Sequence, residues 1–440
     1  MKSPHAVSSA TGLSRRTFLG NCAVLGGGLT LLSALPGTAF AANASDRLKV
    51  GVVGCGGRGM GATMDCLAAD PSVQIWALGD VFPAAVSSAR QRLEKVKGGE
   101  PVHNQVIAPE RIAVTEERCF SGFDAYKAVM RSGVDLVILA APPHFRPAHL
   151  EAAIEAGVHV FAEKPVAVDP AGARKVIAIG ELAAQKKLAI VAGTQRRHDP
   201  RYIETLNRVR EGAIGELVGG QCYWMQGGLW HRGRKPEWSE MEYQLHNWLY
   251  FTWLSGDHIV EQHVHNIDVI NWAFGGPPVK ALGMGGRQSR TDPKYGDAWD
   301  HFSIEFEYAN GVRVQSMCRQ APGASDRVNE RLVGTLGAAN AGNITGKNAW
   351  QFRGERKNSM IQEHKDLIDS IRAGAPLNHA KRIAESTLTA ILGRMSAYTG
   401  KEISFEWMMK ASKLDLTPAQ YAFGDAPAVE IPVPGQTPLV

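Results

Sequence analysis

The chain lacks what would mark a disulfide scaffold, a zinc module or a nucleic-acid binder. Six cysteines in 440 residues include no CxxC pair and no regular spacing. With Cys22 set aside in the N-terminal segment, an odd set remains: Cys55, Cys66, Cys119, Cys222 and Cys318. That pattern gives neither a disulfide framework nor a metal-ligand spacing, and no metal is expected. Charge of one sign is scarce too, with 48 Lys and Arg against 43 Asp and Glu. The formal +5 falls to +2 once Lys2, Arg15 and Arg16 are removed, so no nucleic-acid partner is expected. No internal repeat is evident. The one long apolar run, ending at Phe40, is broken by Gly26-Gly27-Gly28 and Pro36, which argues against a stable membrane anchor.

What the N-terminal segment does carry is Ser14-Arg15-Arg16-Thr17-Phe18-Leu19, then that Gly- and Leu-rich run, then the small-x-small triplet Ala39-Phe40-Ala41. This reads as a twin-arginine export signal over residues 1–42, cleaved to give a periplasmic or otherwise exported protein. A single membrane anchor is the alternative reading. The twin-arginine route generally carries folded proteins, so a cofactor inserted in the cytoplasm can travel with the chain.

Beyond it, Leu48-Lys49-Val50-Gly51-Val52-Val53 is a short β-rich run followed at once by Gly54-Cys55-Gly56-Gly57-Arg58-Gly59 and a helical stretch. Strand, glycine turn and helix in that order form a dinucleotide fingerprint. The glycines permit a tight turn and close approach of the backbone to a pyrophosphate at the helix N-terminus. A second strand ends at Asp80, an acid placed to accept bonds from the adenosine ribose, and Val81-Phe82-Pro83 offers no cation. NAD is therefore favoured, with NADP as the alternative and Arg58 as a second phosphate contact. The apolar strand 134–140 leads to Pro142-Pro143-His144, and the strand 158–162 leads to Glu163-Lys164-Pro165. Strands alternating with helices in this way imply an α/β fold with a parallel sheet.

With its glycine turn, its Pro142-Pro143 loop and its Glu163-Lys164-Pro165 tripeptide, the chain resembles the Gfo/Idh/MocA family, named for glucose-fructose oxidoreductase, inositol dehydrogenase and a rhizopine-catabolism protein. The resemblance covers residues 46 to about 400. It implies a Rossmann domain followed by an α/β domain with a large, mainly antiparallel open sheet, and a homo-oligomer, dimer or tetramer, formed through that sheet. It also implies cofactor contacts from Gly54, Gly56, Gly57, Arg58, Gly59, Asp80, Pro142, Pro143, His144, Glu163 and Lys164. The family's lysine, here Lys164, touches both substrate and cofactor. Its second signature, an acid four residues before a histidine, falls on Glu261 and His265.

An imidazole titrating near neutrality can take a substrate hydroxyl proton while hydride leaves for the nicotinamide, and a carboxylate on the same helical face can orient the sugar. Lys164, Glu261 and His265 are thus the catalytic candidates. The family usually has Asp where Glu261 stands and often a small residue where His263 stands, so His263 is the second candidate for the base and for substrate contact. A metal cluster drawn from His258, His263 and His265 is disfavoured, because residues 263 and 265 diverge by about 200° on a helix.

The substrate candidates are completed by Arg196 and Arg197, in Gln195-Arg196-Arg197-His198 after a strand, and by Trp230 in a Gly-rich loop. Six of the ten tryptophans lie between Tyr223 and Trp272, as sugar-stacking platforms or as core. The domains read as a Rossmann unit over 46–195, a substrate and oligomerisation unit over 196–405, and an extended Pro-rich arm over 406–440. The expected activity is oxidation of a secondary hydroxyl of a sugar, polyol or glycoside by an exported enzyme whose cofactor stays tightly bound and is recycled. The alternatives are an NAD-dependent glycoside hydrolase working by transient oxidation and elimination, and a non-catalytic binding or scaffold protein on the same fold.

Overall fold

Leu48–Val53 (β1), Val73–Asp80 (β2), Cys119–Ser121 (β3), Leu136–Leu139 (β4), His159–Ala162 (β5) and Ile190–Ala192 (β6) are short apolar runs joined through helices. Such runs can be buried on both faces at once, as a parallel sheet between helical layers requires. In the computed structural model, which describes residues 47–440, they pair in parallel in the order β3-β2-β1-β4-β5-β6. Alternation divides them between two cores. Val50, Val52, Leu136 and Ile138 face one helical layer, and Val53, Val137 and Leu139 face the other. The strand order reverses between β1 and β4, which opens a crevice at the carboxyl ends of the strands. The export signal expected over residues 1–42 lies outside the described residues.

The second sheet is larger. Leu217–Gln226 (β7), Lys280–Gly286 (β8), His301–Glu307 (β9), Arg313–Gln320 (β10), Arg327–Gly334 (β11), Gly337–Asn340 (β12), Asn343–Gly346 (β13), Trp350–Gln351 (β14) and Ile403–Ser404 (β15) run in the order β14-β13-β12-β11-β7-β10-β9-β8-β15. Only the central pair β7 and β10 is parallel; the other neighbours are antiparallel. One face buries Cys222, Phe302, Ile304, Phe306, Val314 and Leu332 under the helices Val264–Phe274 and Ala380–Thr399. On β8, Leu282 and Met284 alternate with buried Ala281 and stay exposed, as an open sheet requires.

Two boundaries differ from the sequence reading. The helix Ser359–Arg372, numbered with the second unit, packs Leu367 and Ile368 into the first unit's core, and Arg372 pairs with Asp70 at 2.6 Å. The arm expected over 406–440 instead begins within a helix, Phe405–Lys410, and then folds back in irregular form. Tyr421 and Phe423 pack near Phe123, and the Met241 amide donates to the Gly424 carbonyl at 3.0 Å. These aromatic contacts and main-chain bonds hold the segment to the rest of the chain, against the extended preference of the flanking prolines.

Candidate active site

Gly54 leaves β1 at φ +93°, and a Cβ there would stand 2.4 Å from the Ala141 amide nitrogen. A Cβ on Gly59 would stand 1.8 Å from the Gly54 carbonyl oxygen, so the first turn of the helix Gly57–Ala69 closes against the loop only as glycine. Gly56 and Gly57 are different: nothing lies within 4 Å of where their Cβ atoms would be. They face a cavity of about 540 Å³, lined also by Asp80, Phe82 and Pro142 and roofed by Trp230, Arg232, His246 and Trp248 of the second domain. A bare main-chain cradle at a helix N-terminus with an acid beside it fits a pyrophosphate and a ribose. Asp80 holds the turn in shape, accepting from the Cys55 amide at 2.7 Å and the Phe82 amide at 2.9 Å, and burial raises its pKa.

Other residues expected around the cofactor are committed elsewhere. Arg58 lines the cavity, but its Nε donates to Glu163 at 2.9 Å and a terminal nitrogen to Asp65 at 2.8 Å, so both of its strong contacts are protein acids. Glu163 is buried and spends its carboxylate on that pair. Of Pro142-Pro143-His144, only Pro142 lines the cavity. His144 is turned inward by the 3-10 turn Pro143–Phe145, meets the Tyr421 hydroxyl at 2.8 Å, and is driven by burial to a pKa of about 4.

At the end of β5, Lys164 crosses to the second domain. Its Nζ donates to Glu261 Oε1 at 2.8 Å and to the Glu261 carbonyl oxygen at 2.5 Å. That carbonyl is the one to which the His265 amide would donate in a continuous helix. The His265 amide bonds to the Gln262 carbonyl instead, at 3.4 Å. The expected single helix is therefore two, His258–Glu261 and Val264–Phe274, with Lys164 serving the open carbonyl at the break. Glu261 and His265 remain close to the same ammonium. Burial, and then the charges of Lys164, Arg196 and Arg58, hold the His265 imidazole well below its usual pKa. Its ring stacks on Trp224 with centroids 5.7 Å apart.

The break also decides the direction of His263. Its Nε2 lies 2.8 Å from the Ser316 hydroxyl, among the core residues of β7 and β10, and burial takes its pKa to about 3. Expected in the substrate cleft, His263 is a buried neutral core residue. The adjacent arginines part in the same way. Arg196 pairs with Glu330 of β11, which Tyr202 at 3.1 Å and Asn266 at 2.6 Å also hold, and it lies beside Trp224. Arg197 turns the other way and forks onto Asp268 at 2.8 and 2.9 Å over the face of Trp272, so it belongs to packing rather than to substrate. Glu330 was not singled out in the sequence. The alternation that buries Leu332 puts Glu330 on the same face of β11, and that was the available signal. Among the described residues, no three His, Cys, Asp or Glu side chains converge as a metal site.

Comparison with known proteins gives a consistent picture. The family model described as the oxidoreductase family, NAD-binding Rossmann fold, matches residues 48–193, and that of the GFO/IDH/MocA C-terminal domain matches residues 202–340. Inositol 2-dehydrogenase 4 of Saccharopolyspora erythraea is 27% identical over 60% of this chain and 75% of its own length. A 2,7-anhydro-N-acetylneuraminate hydratase of Mediterraneibacter gnavus is 24% identical over 48% of this chain, which spans half of the hydratase's length. Among solved structures, scyllo-inositol dehydrogenase of Lactobacillus casei with bound NAD(H) and scyllo-inositol superposes with a TM-score of 0.61 at 17% identity, over 82% of this chain and all of its own.

Proposed function

Since the chain belongs to the Gfo/Idh/MocA family of NAD-binding oxidoreductases, we propose that it oxidises a secondary hydroxyl of a sugar, polyol or glycoside at the Lys164, Glu261 and His265 cluster. The observation that carries this reading is the double contact of Lys164 with Glu261 close to the His265 imidazole. A nicotinamide dinucleotide with its pyrophosphate held at Gly56 and Gly57 would supply the hydride acceptor. Lys164 presents its remaining ammonium proton to the substrate oxygen and stabilises negative charge on it. His265, kept neutral, accepts the hydroxyl proton at a ring nitrogen. Glu261 fixes the ammonium, Trp224 offers an apolar face for a ring, and the near-complete burial of the three groups keeps water away.

The finer parts of the reading are that the protein is exported by its twin-arginine segment, works as a homo-oligomer, and keeps its cofactor through turnover. Leu282 and Met284 on the open sheet support association, and the roof of Trp230, His246 and Trp248 over the nucleotide cavity supports retention. A second reading, transient oxidation followed by elimination and addition of water, is favoured by the similarity to the anhydroneuraminate hydratases.

The test is to purify the mature chain without added cofactor, denature it, and analyse the released nucleotide, then repeat after incubating the native protein with sugars and glycosides. Stoichiometric nucleotide whose redox state responds to a sugar supports the proposal. Release of an aglycone or an anhydro-sugar product selects the second reading. An empty protein that binds no dinucleotide overturns both.

A further inference from the structure

The turn after β2 contains no cation, and Arg58 of the glycine turn is held by Glu163 and Asp65, but the second domain supplies another cation to the same cavity. Arg232 lines the same cavity as Asp80 and Phe82. Its main chain is fixed from both sides by Asn247, which is fully buried: the Arg232 amide donates to Asn247 Oδ1 at 2.8 Å, and Asn247 Nδ2 donates back to the Arg232 carbonyl at 3.1 Å. Its guanidinium donates to His246 Nδ1 at 3.4 Å, and the His246 ring lies flat on Phe82 with centroids 4.0 Å apart and planes 7° apart. Trp238 covers the other side of that ring, also at 4.0 Å. The stack therefore links Arg232, through the His246 ring, to Phe82 in the turn that follows Asp80.

Among the described residues Arg232 has no carboxylate within ion-pair distance, whereas nearby Arg234 pairs with Glu240 at 2.7 Å. Asp80, the group that would repel a phosphate, turns both oxygens to main-chain amides. The helix Pro83–Lys97 that starts there carries no acid in its first turn.

We infer that Arg232 is the specificity residue for the adenosine end of the nucleotide, receiving a 2′-phosphate, so that the site takes NADP as well as NAD. The inference rests on the dinucleotide reading of the cavity. It places the selecting cation on a different domain from the fingerprint, where no reading of the β2 turn can find it. A planar guanidinium suits a phosphate through two parallel N–H bonds.

The experiment is titration of the nucleotide-stripped mature protein with NAD and NADP, and with adenosine 5′-monophosphate and adenosine 2′,5′-bisphosphate as probes that isolate the phosphate. Arg232→Ala is expected to weaken NADP and the bisphosphate by at least about tenfold, to leave NAD and the monophosphate within about twofold, and to be largely rescued by Arg232→Lys. Two results overturn the inference while leaving the dinucleotide reading intact: wild-type protein that binds NAD but not NADP, or an Arg232→Ala variant that weakens all four ligands equally. Wild-type protein that binds none of the four removes the dinucleotide reading itself.

Discussion

Lys164 meets Glu261 twice, at the carboxylate and at the main-chain carbonyl of one residue, and the helix breaks there. A side chain from the nucleotide-binding domain thereby sets the conformation of the segment that carries the candidate base. The geometry of the chemistry and the contact between the domains are one interaction.

Lys164→Ala is expected to reduce hydride transfer by about 10²-fold or more while dinucleotide binding persists. It also strands Glu261, whose side chain is 8% exposed, which costs stability on the scale of a broken buried pair, about 3–5 kcal/mol. Pairing it with Glu261→Gln should recover stability but not turnover. Reduced nicotinamide absorbance and urea unfolding measure the two quantities separately, and a fully active Lys164→Ala protein would remove Lys164 from the chemistry.

His265→Asn should lower turnover by about 10²–10⁴-fold. Because burial and three cations lower the ring's pKa, the base is already deprotonated at neutral pH. The acid limb of kcat/KM assigned to this residue should therefore lie well below 6.5, and the rate should be flat through neutrality. An acid limb near 6.5 that disappears in His265→Asn would contradict this.

Arg196 and Arg197 should separate in a simple comparison. Arg197→Met leaves Asp268, held at a pKa of about 2 and 2% exposed, without its forked partner and is expected to cost about 3–5 kcal/mol in unfolding with KM unchanged. Arg196→Met should raise KM for the sugar. Equal effects on KM from both variants would show that Arg197 reaches substrate after all.

Two glycine variants should divide stability from binding. Gly59→Ala drives a methyl into the Gly54 carbonyl and should destabilise by about 1–3 kcal/mol or more. Gly57→Ala meets no protein atom, so its Tm should hold while NAD affinity falls by about tenfold or more. Unchanged NAD affinity in Gly57→Ala would place the pyrophosphate elsewhere.

His144, His149, His263 and His364 are buried with pKa values of about 4, 3, 3 and 3, against 6.5 for a free ring. Their folded values are depressed, so the unfolded chain takes up protons first. The stability they contribute is complete above about 6.5 and drains as pH falls from there to the folded values, at about 1.4 kcal/mol per unit per ring. Urea midpoints measured from pH 7 to 4 should fall steeply, and a flat profile would show that these rings titrate normally.

The amino-acid sequence by itself determined the first domain and its glycine turn. Each of those signals is local: a β-rich run, glycines at fixed offsets, an acid at the next strand's end. The open second sheet was legible for the same reason, through the alternation of Phe302, Ile304 and Phe306. Tertiary structure alone decided what depends on partners distant along the chain. Helical spacing put Glu261 and His265 on one continuous helix, but Lys164, 97 residues earlier, took the carbonyl that would have continued it. Arg196 and Arg197 carry the same charge at neighbouring positions, and only the placement of Glu330 and Asp268 sends one toward Trp224 and the other over Trp272. The roof residues Arg232 and His246 have no signature at all, because what makes them part of the nucleotide site is the packing of His246 on Phe82 across the two domains. Periodicity and motif spacing report the face on which a side chain lies; which buried charge or ring it meets there is fixed by long-range packing and electrostatic pairing.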